Sequence, residues 1–158
     1  LGGGTAGWMA AAALANRFKQ GVTKITLVES AEIGIIGVGE ATVPYIKEFL
    51  QDLNINEVDF MRATKATYKL GIDFDGWYKP GEKFTHPFAG YGARIARIPF
   101  HHYWAKMRAQ NKAQELGAYC LAVQRARDKK CAGPKANNDV ELSSFNYAFH
   151  FDASLFAH

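Results

Sequence analysis

Apolar and polar positions along this chain follow two periods, one helical and one extended, punctuated by glycine and proline. Residues 8–18 (WMAAAALANRF) carry small apolar side chains at helical spacing and predict a helix with an Ala-rich buried face, stopped by Lys19, Gln20 and Gly21. Residues 22–29 are β-branched and predict a buried parallel strand. In 44–53, Ile46, Phe49, Leu50 and Leu53 form one stripe of an amphipathic helix, with Pro44 in its first turn and Asn54 at its end. Asn56 is placed to cap a second helix over 57–68, with Val58, Phe60 and Met61 as its apolar positions. Residues 70–77 alternate and predict a strand, and 79–92, rich in Gly, Pro and aromatics, predict a loop. A helix is expected over 100–110, a helical stretch over 115–127, a polar loop over 128–141 and a strand over 145–151, after which Asp152 can cap a further helix. The alternation of the two periods implies an α/β fold.

The first candidate chemistry lies in the turn before the first helix. Gly2, Gly4 and Gly7, with Gly3, Thr5 and Ala6 between them, fit G-x-G-x-x-G. In a Rossmann-like unit the first glycine allows the tight turn, the second lets a pyrophosphate approach the backbone, and the third packs helix on sheet. The free N–H groups and dipole of the helix start favour an anion. Glu29 lies 29 − 7 = 22 residues beyond Gly7, about where such a unit binds a ribose hydroxyl. The other reading is a Gly-rich turn with a solvated glutamate.

Composition narrows the class further. The 158 residues are 48% hydrophobic, enough for the core of one domain or part of one. Net charge is +4, from 19 basic and 15 acidic residues that form no run, so a nucleic-acid partner is not expected. No apolar stretch reaches membrane-span length, and no membrane association is expected. Cys120 and Cys131 show no C-x-x-C spacing, and reduced thiols in a cytoplasmic protein are the default. His101 and His102 point to different sides of a helix with no carboxylate or cysteine at ligand spacing, so no metal site is expected.

In chain order, GGGTAGWMAA, LVES, IGVGEATVP, YKLGIDFDGW and FHFDASL resemble the FAD-dependent tryptophan halogenases. The likeness is firm over 1–88 and 145–156, and looser between. It implies a Rossmann-like FAD-binding domain of the glutathione-reductase type, incomplete here, with part of the substrate module. Residues 1–44 would hold the FAD half-site and strap, and 45–158 the substrate side. It further implies that FADH₂ from a separate flavin reductase, with O₂ and chloride or bromide, yields hypohalous acid, which passes through an internal tunnel to a small electron-rich aromatic. Lys69 aligns with the lysine that directs halogenation there. The strap is residues 30–42, with Ser30, Ile33, Ile36, Val38 and Ala41 at FAD-contact positions and Gly37 and Gly39 allowing close approach. Glu40 would brace that strap; its other reading is an acid near a helix N-terminus. His86 and Phe88 match positions that sandwich an indole. Proline at 87 and Ala-Gly-Tyr after Phe88 depart from the tryptophan-specific pattern, which leaves indoles, phenols and pyrroles open.

From its spacing alone, Lys69 also reads as a solvated lysine at a helix end, and His86 and Phe88 as ordinary loop residues. An FAD aromatic hydroxylase shares the glycine turn, and a non-catalytic flavin-binding piece is a further alternative. The family's Trp-x-Trp-x-Ile-Pro signature and second catalytic acid do not occur in these residues. Only Leu1 precedes Gly2, so the strand feeding the turn is expected to be missing and the chain to be a piece of a longer enzyme. We expect these residues alone to be marginally stable or aggregation-prone; a cooperative, reversible thermal melt of the bare piece would contradict this.

Overall fold

The structure, a computed structural model, describes residues 2–18, 21–30, 32–33, 40–131 and 144–156. Its elements run α1 Thr5–Arg17, β1 Glu40–Ala41, α2 Tyr45–Asp52, α3 Glu57–Thr64, β2 Thr67–Lys69, β3 Gly71–Asp75, β4 Lys83–Pro87, α4 Phe100–Ala109, a 3-10 turn Leu116–Tyr119, α5 Leu121–Arg127, β5 Ala148–Phe151 and α6 Ala153–Phe156. Helices and sheets intermix in an α/β arrangement. The chain divides into two units, Leu1–Tyr68 with Ala148–His158, and Lys69–Tyr147. Among the described residues no helix is long and apolar enough to cross a membrane.

In the first unit β5 is the middle strand of a sheet ordered β1-β5-β2. It pairs antiparallel with β1 through Glu40↔Phe151 and Ala41↔His150. Thr42 carries the pairing one residue further. Its amide donates to the Phe149 carbonyl at 3.0 Å, and its hydroxyl accepts from the Phe149 amide at 3.0 Å. The Phe60 ring packs on Phe149, Phe151 and Phe156 at centroid distances of 5.4, 5.6 and 6.1 Å. The α2 stripe meets this core as its periodicity predicts, with Ile46 and Leu50 4% and 2% exposed. Asn56 Oδ1 accepts from the Val58 and Asp59 amides at 2.9 and 3.2 Å, satisfying two N–H groups that the first turn of α3 leaves open. Asp152 caps α6 in the same way, its Oδ1 accepting from the Ser154 amide at 2.9 Å. That bonding, the Ser154 hydroxyl foremost, holds the Asp152 carboxyl below its ordinary range.

Several expected elements differ. The helix expected over 57–68 ends at Thr64, where Lys65 turns left-handed (φ 54) and the Ala66 amide closes on the Met61 carbonyl. Residues 67–69 then form a strand, and the Tyr68 ring stacks at 5.9 Å on Phe149; packing overrides helical spacing there. Among the described residues segment 22–29 makes no ladder; the Gly2 amide donates to its Val28 carbonyl at 3.2 Å, and Val22 and Val28 are 81% and 63% exposed. Extended chain becomes a sheet strand only beside a neighbouring strand. The Ala-rich face of α1 has no fully buried residue. The final strand is shorter than expected, beginning at Ala148.

In the second unit β3 and β4 pair antiparallel from Gly71↔Pro87 to Asp75↔Lys83. The Phe88 amide extends this pairing to the Leu70 carbonyl at 2.9 Å. The expected loop over 79–92 therefore contains a strand, because a partner with matching register lies across a turn that Gly76 and Gly81 allow with positive φ. The strand expected over 70–77 ends at Asp75 for the same reason. Leu70, Cys120, Ala122 and Val123 form the core, with Ala89, Tyr91, Phe145 and Tyr147 against it. The helix expected over 115–127 breaks at Cys120, whose extended backbone (φ −130) turns its side chain inward between the 3-10 turn and α5. Of the polar loop expected over 128–141, residues 132–141 lie outside the described residues.

Phe149 is 0% exposed and touches Phe60 and Tyr68. Phe149→Ala is expected to destabilise the protein by about 3–5 kcal/mol in denaturant titration. Trp77→Ala, at a position 77% exposed, should stay within about 0.5 kcal/mol.

Candidate functional site

The glycine turn and its acid come together in the first unit. Gly7 lies so close to the Gly2 carbonyl that a Cβ there would overlap the oxygen. That contact lets α1 start directly against the turn. A Cβ on Gly3 would overlap the Glu29 side chain, so the Glu29 carboxylate lies over Gly3. Beside Gly4 the space is open, with no atom within 4 Å of where a Cβ would stand. Gly4 is also the N-cap of α1, and no side chain caps the helix there. The arrangement is a helix N-terminus with free N–H groups, an open approach and a carboxylate beside it, which suits an anion joined to a hydroxyl-bearing group.

Thr5, in the first turn of α1, donates from Oγ1 to Glu40 Oε1 at 3.3 Å. This bond joins the glycine turn to the second Gly-rich motif. Ala6 and Ala41 are exposed, and Ala41 holds its ladder position opposite His150. Ser30 Oγ accepts from the Glu32 and Ile33 amides at 3.3 and 3.4 Å, and the Ile33 side chain is exposed. Ile36 and Val38, with Gly37 and Gly39, lie outside the described residues.

In the second unit Lys69 meets Phe88, and His86 stands two residues earlier on β4. Lys69 Nζ stands 5.3 Å from the centroid of the Phe88 ring, over its face. The residue is half-buried, and desolvation lowers its pKa from the ordinary lysine value. His86 lies opposite Ile72 in the β3–β4 ladder and is exposed; Phe88, just past β4, is half-buried. An amine held on an aromatic face can donate a hydrogen bond when charged and act as a nucleophile when neutral. The His101 and His102 rings are 4.1 Å apart on α4. No group of three or more potential metal ligands occurs among the described residues.

Sequence reasoning missed a hydrogen-bonded chain behind this cluster. Thr85 Oγ1 donates to Asp73 Oδ1 at 2.6 Å, and Tyr91 Oη donates to the Thr85 carbonyl at 2.6 Å. Alternation placed Asp73 on a strand, but Thr85 and Tyr91 fell in an expected loop, so no signal paired them.

The family profile described as Tryptophan halogenase matches residues 1–158. The chain is 54% identical over 177 residues to the 7-chloro-L-tryptophan 6-halogenase KtzR of Kutzneria sp. (strain 744), covering 99% of this chain and 34% of that protein. It is 34% identical to the tryptophan 6-halogenase SttH of Streptomyces toxytricini, covering 99% of this chain and 33% of that protein. Among solved structures it superposes on BrvH, a flavin-dependent halogenase from Brevundimonas sp. BAL3, with a TM-score of 0.84 and 48% identity over 98% of this chain and 30% of that one. The chain thus spans about a third of the length of these relatives.

Because folding lowers the Lys69 pKa, the folded chain binds fewer protons there than the unfolded chain. Its contribution to stability therefore rises as pH climbs from the folded value to the ordinary one. Side-chain NMR of Lys69 should show a midpoint below that of exposed lysines.

Proposed function

The chain belongs to the tryptophan halogenase family, and on that premise we propose that it is the flavin-binding and substrate-orienting part of a flavin-dependent halogenase acting on an electron-rich aromatic of the tryptophan or indole class. The carrying observation is the Lys69 amine over the face of the Phe88 ring. The family match does not favour the hydroxylase or non-catalytic alternatives.

The residues of the first unit fit FAD in a Rossmann-type site. The open side of Gly4 and the uncapped start of α1, formed by Gly2, Gly3, Gly4, Thr5, Ala6 and Gly7, suit its pyrophosphate. Glu29 suits a ribose hydroxyl, and Ser30, Ile33, Ile36, Val38, Glu40 and Ala41 complete the strap. When bound and reduced by a separate flavin reductase, FAD would supply the electrons with which O₂ and chloride or bromide give hypohalous acid. Cys120, buried, and Cys131 form no disulfide among the described residues, which suits the reducing cytoplasm.

Lys69 acts on that oxidant in the second unit. As an ammonium it donates a hydrogen bond to the hypohalous oxygen and makes the halogen more electrophilic. As a neutral amine it attacks the halogen: an N–X bond forms, the X–O bond breaks, and the amine proton leaves with hydroxide as water. The aromatic carbon then takes the halogen as the N–X bond breaks, the departing nitrogen takes a proton from water, and the ring proton is lost to base, which regenerates the amine. His86 and Phe88 exclude water and orient the ring; stacking contributes about 0.5–1.5 kcal/mol per pair beyond area burial.

In the full-length enzyme Lys69→Ala should lower halogenated product by about 10²–10⁴-fold, the range for a lost proton-handling group, while oxidation of reduced flavin by O₂ continues. Chromatographic product yield equal to wild type would remove Lys69 from the mechanism.

A further inference from the structure

We infer that Tyr91 is a positioning residue for the aromatic clamp, its phenol closing residues 85–91 into a loop that fixes the spacing of His86 and Phe88. The inference rests on the proposed roles of those two residues.

The bond runs back six residues, from Tyr91 Oη to the Thr85 carbonyl at 2.6 Å. His86, Pro87 and Phe88 all lie inside the loop it closes. The near end of the loop is held twice. The Thr85 carbonyl takes the phenol, and the Thr85 hydroxyl donates to Asp73 on the neighbouring strand at 2.6 Å. At the far end, the backbone on either side of Tyr91 is tied down. The Gly90 amide donates to Ser144 Oγ at 2.6 Å, and the Gly92 amide donates to the Tyr119 carbonyl at 2.8 Å. Tyr91 therefore has little backbone freedom, and its half-buried ring packs on the core of Leu70, Cys120, Ala122 and Val123. Burial raises the phenol pKa, so the hydroxyl stays a donor at every working pH. A ring fixed in the core and a donor aimed at the residue before His86 hold the clamp more tightly than the ladder alone. The ladder ends at the Phe88 amide.

Tyr91→Phe keeps the ring and removes only the donor. Tyr103→Phe is the matched control: Tyr103 Oη also donates to a carbonyl, that of Ile95 at 3.0 Å, in the same unit but outside the loop. In the full-length halogenase, Tyr91→Phe should raise KM for the aromatic about three- to tenfold, as loss of one internal hydrogen bond implies. It should also broaden the distribution of halogenated positions, with flavin oxidation unchanged. Tyr103→Phe should change neither KM nor product distribution. 4-Aminophenylalanine at position 91 restores a donor and should bring KM back toward wild type, which keeps the test sound if Tyr91→Phe folds poorly. Wild-type KM and product distribution in Tyr91→Phe, or no rescue by the amino analogue, would overturn the inference. His86→Ala and Phe88→Ala in the same series separate the two readings. If they weaken aromatic binding and Tyr91→Phe does not, only the positioning role fails; if they do not weaken it, the clamp itself fails and takes this inference with it.

Discussion

The register of β3 against β4 is the constraint on which the proposed aromatic clamp depends, and one close approach holds it. A Cβ on Gly71 would stand 2.6 Å from the His86 carbonyl oxygen and 2.8 Å from Pro87 Cα, closer than such atoms pack. Only glycine fits opposite Pro87 in this pairing. A slip of one residue would turn every side chain of β4 to the other face, taking His86 away from Ile72 and Phe88 away from its pairing with Leu70. The Phe74–Phe84 stack, at 4.8 Å with the rings nearly parallel, reinforces the same register from the other end of the ladder. A glycine that excludes a side chain and an aromatic pair that rewards alignment thus act together.

The first unit solves a different problem, joining two glycine-rich motifs far apart in sequence. Thr5 reaches Glu40, and Glu40 is held in turn by its place opposite Phe151 on β5. That strand is anchored by Phe149 and Phe151, whose rings pack on Phe60. The start of α1 is therefore tied through one carboxylate to an aromatic core contributed by α3, β5 and α6. On the proposed reading Glu40 braces the strap by accepting from Thr5, the first residue of α1 just past the phosphate turn. Its carboxylate also lies near the positive end of the α1 dipole, so the two roles reinforce each other.

Elements with a local cause were legible in the sequence. The α2 stripe, the Asn56 and Asp152 caps and the α4 helix follow from side chains within one or two turns of each other. What could not be read depended on distant partners. The β4 strand needed β3 across its turn, the end of α3 needed Phe149 to claim Tyr68, and the expected strand over 22–29 has no neighbouring ladder among the described residues. The candidate site divides the same way. Spacing located the glycines and Glu29, but the special weight given to Lys69, His86 and Phe88 came from family likeness. Nothing local marks a lysine as lying on a phenylalanine 19 residues later.

That lysine is where the energetics meet. Burial disfavours the ammonium, whereas the Phe88 face at 5.3 Å favours it by about 0.5–2 kcal/mol depending on desolvation. The net shift is downward, so burial prevails. A fully solvated amine would remain charged and serve only as a hydrogen-bond donor. An amine buried without the ring would favour the neutral form and lose much of that donor role. On the proposed reading, the half-buried position over Phe88 keeps both protonation states within reach. Arginine could not replace it: a guanidinium also stacks on an aromatic face, but it does not surrender its proton near neutral pH and so offers no lone pair to a halogen.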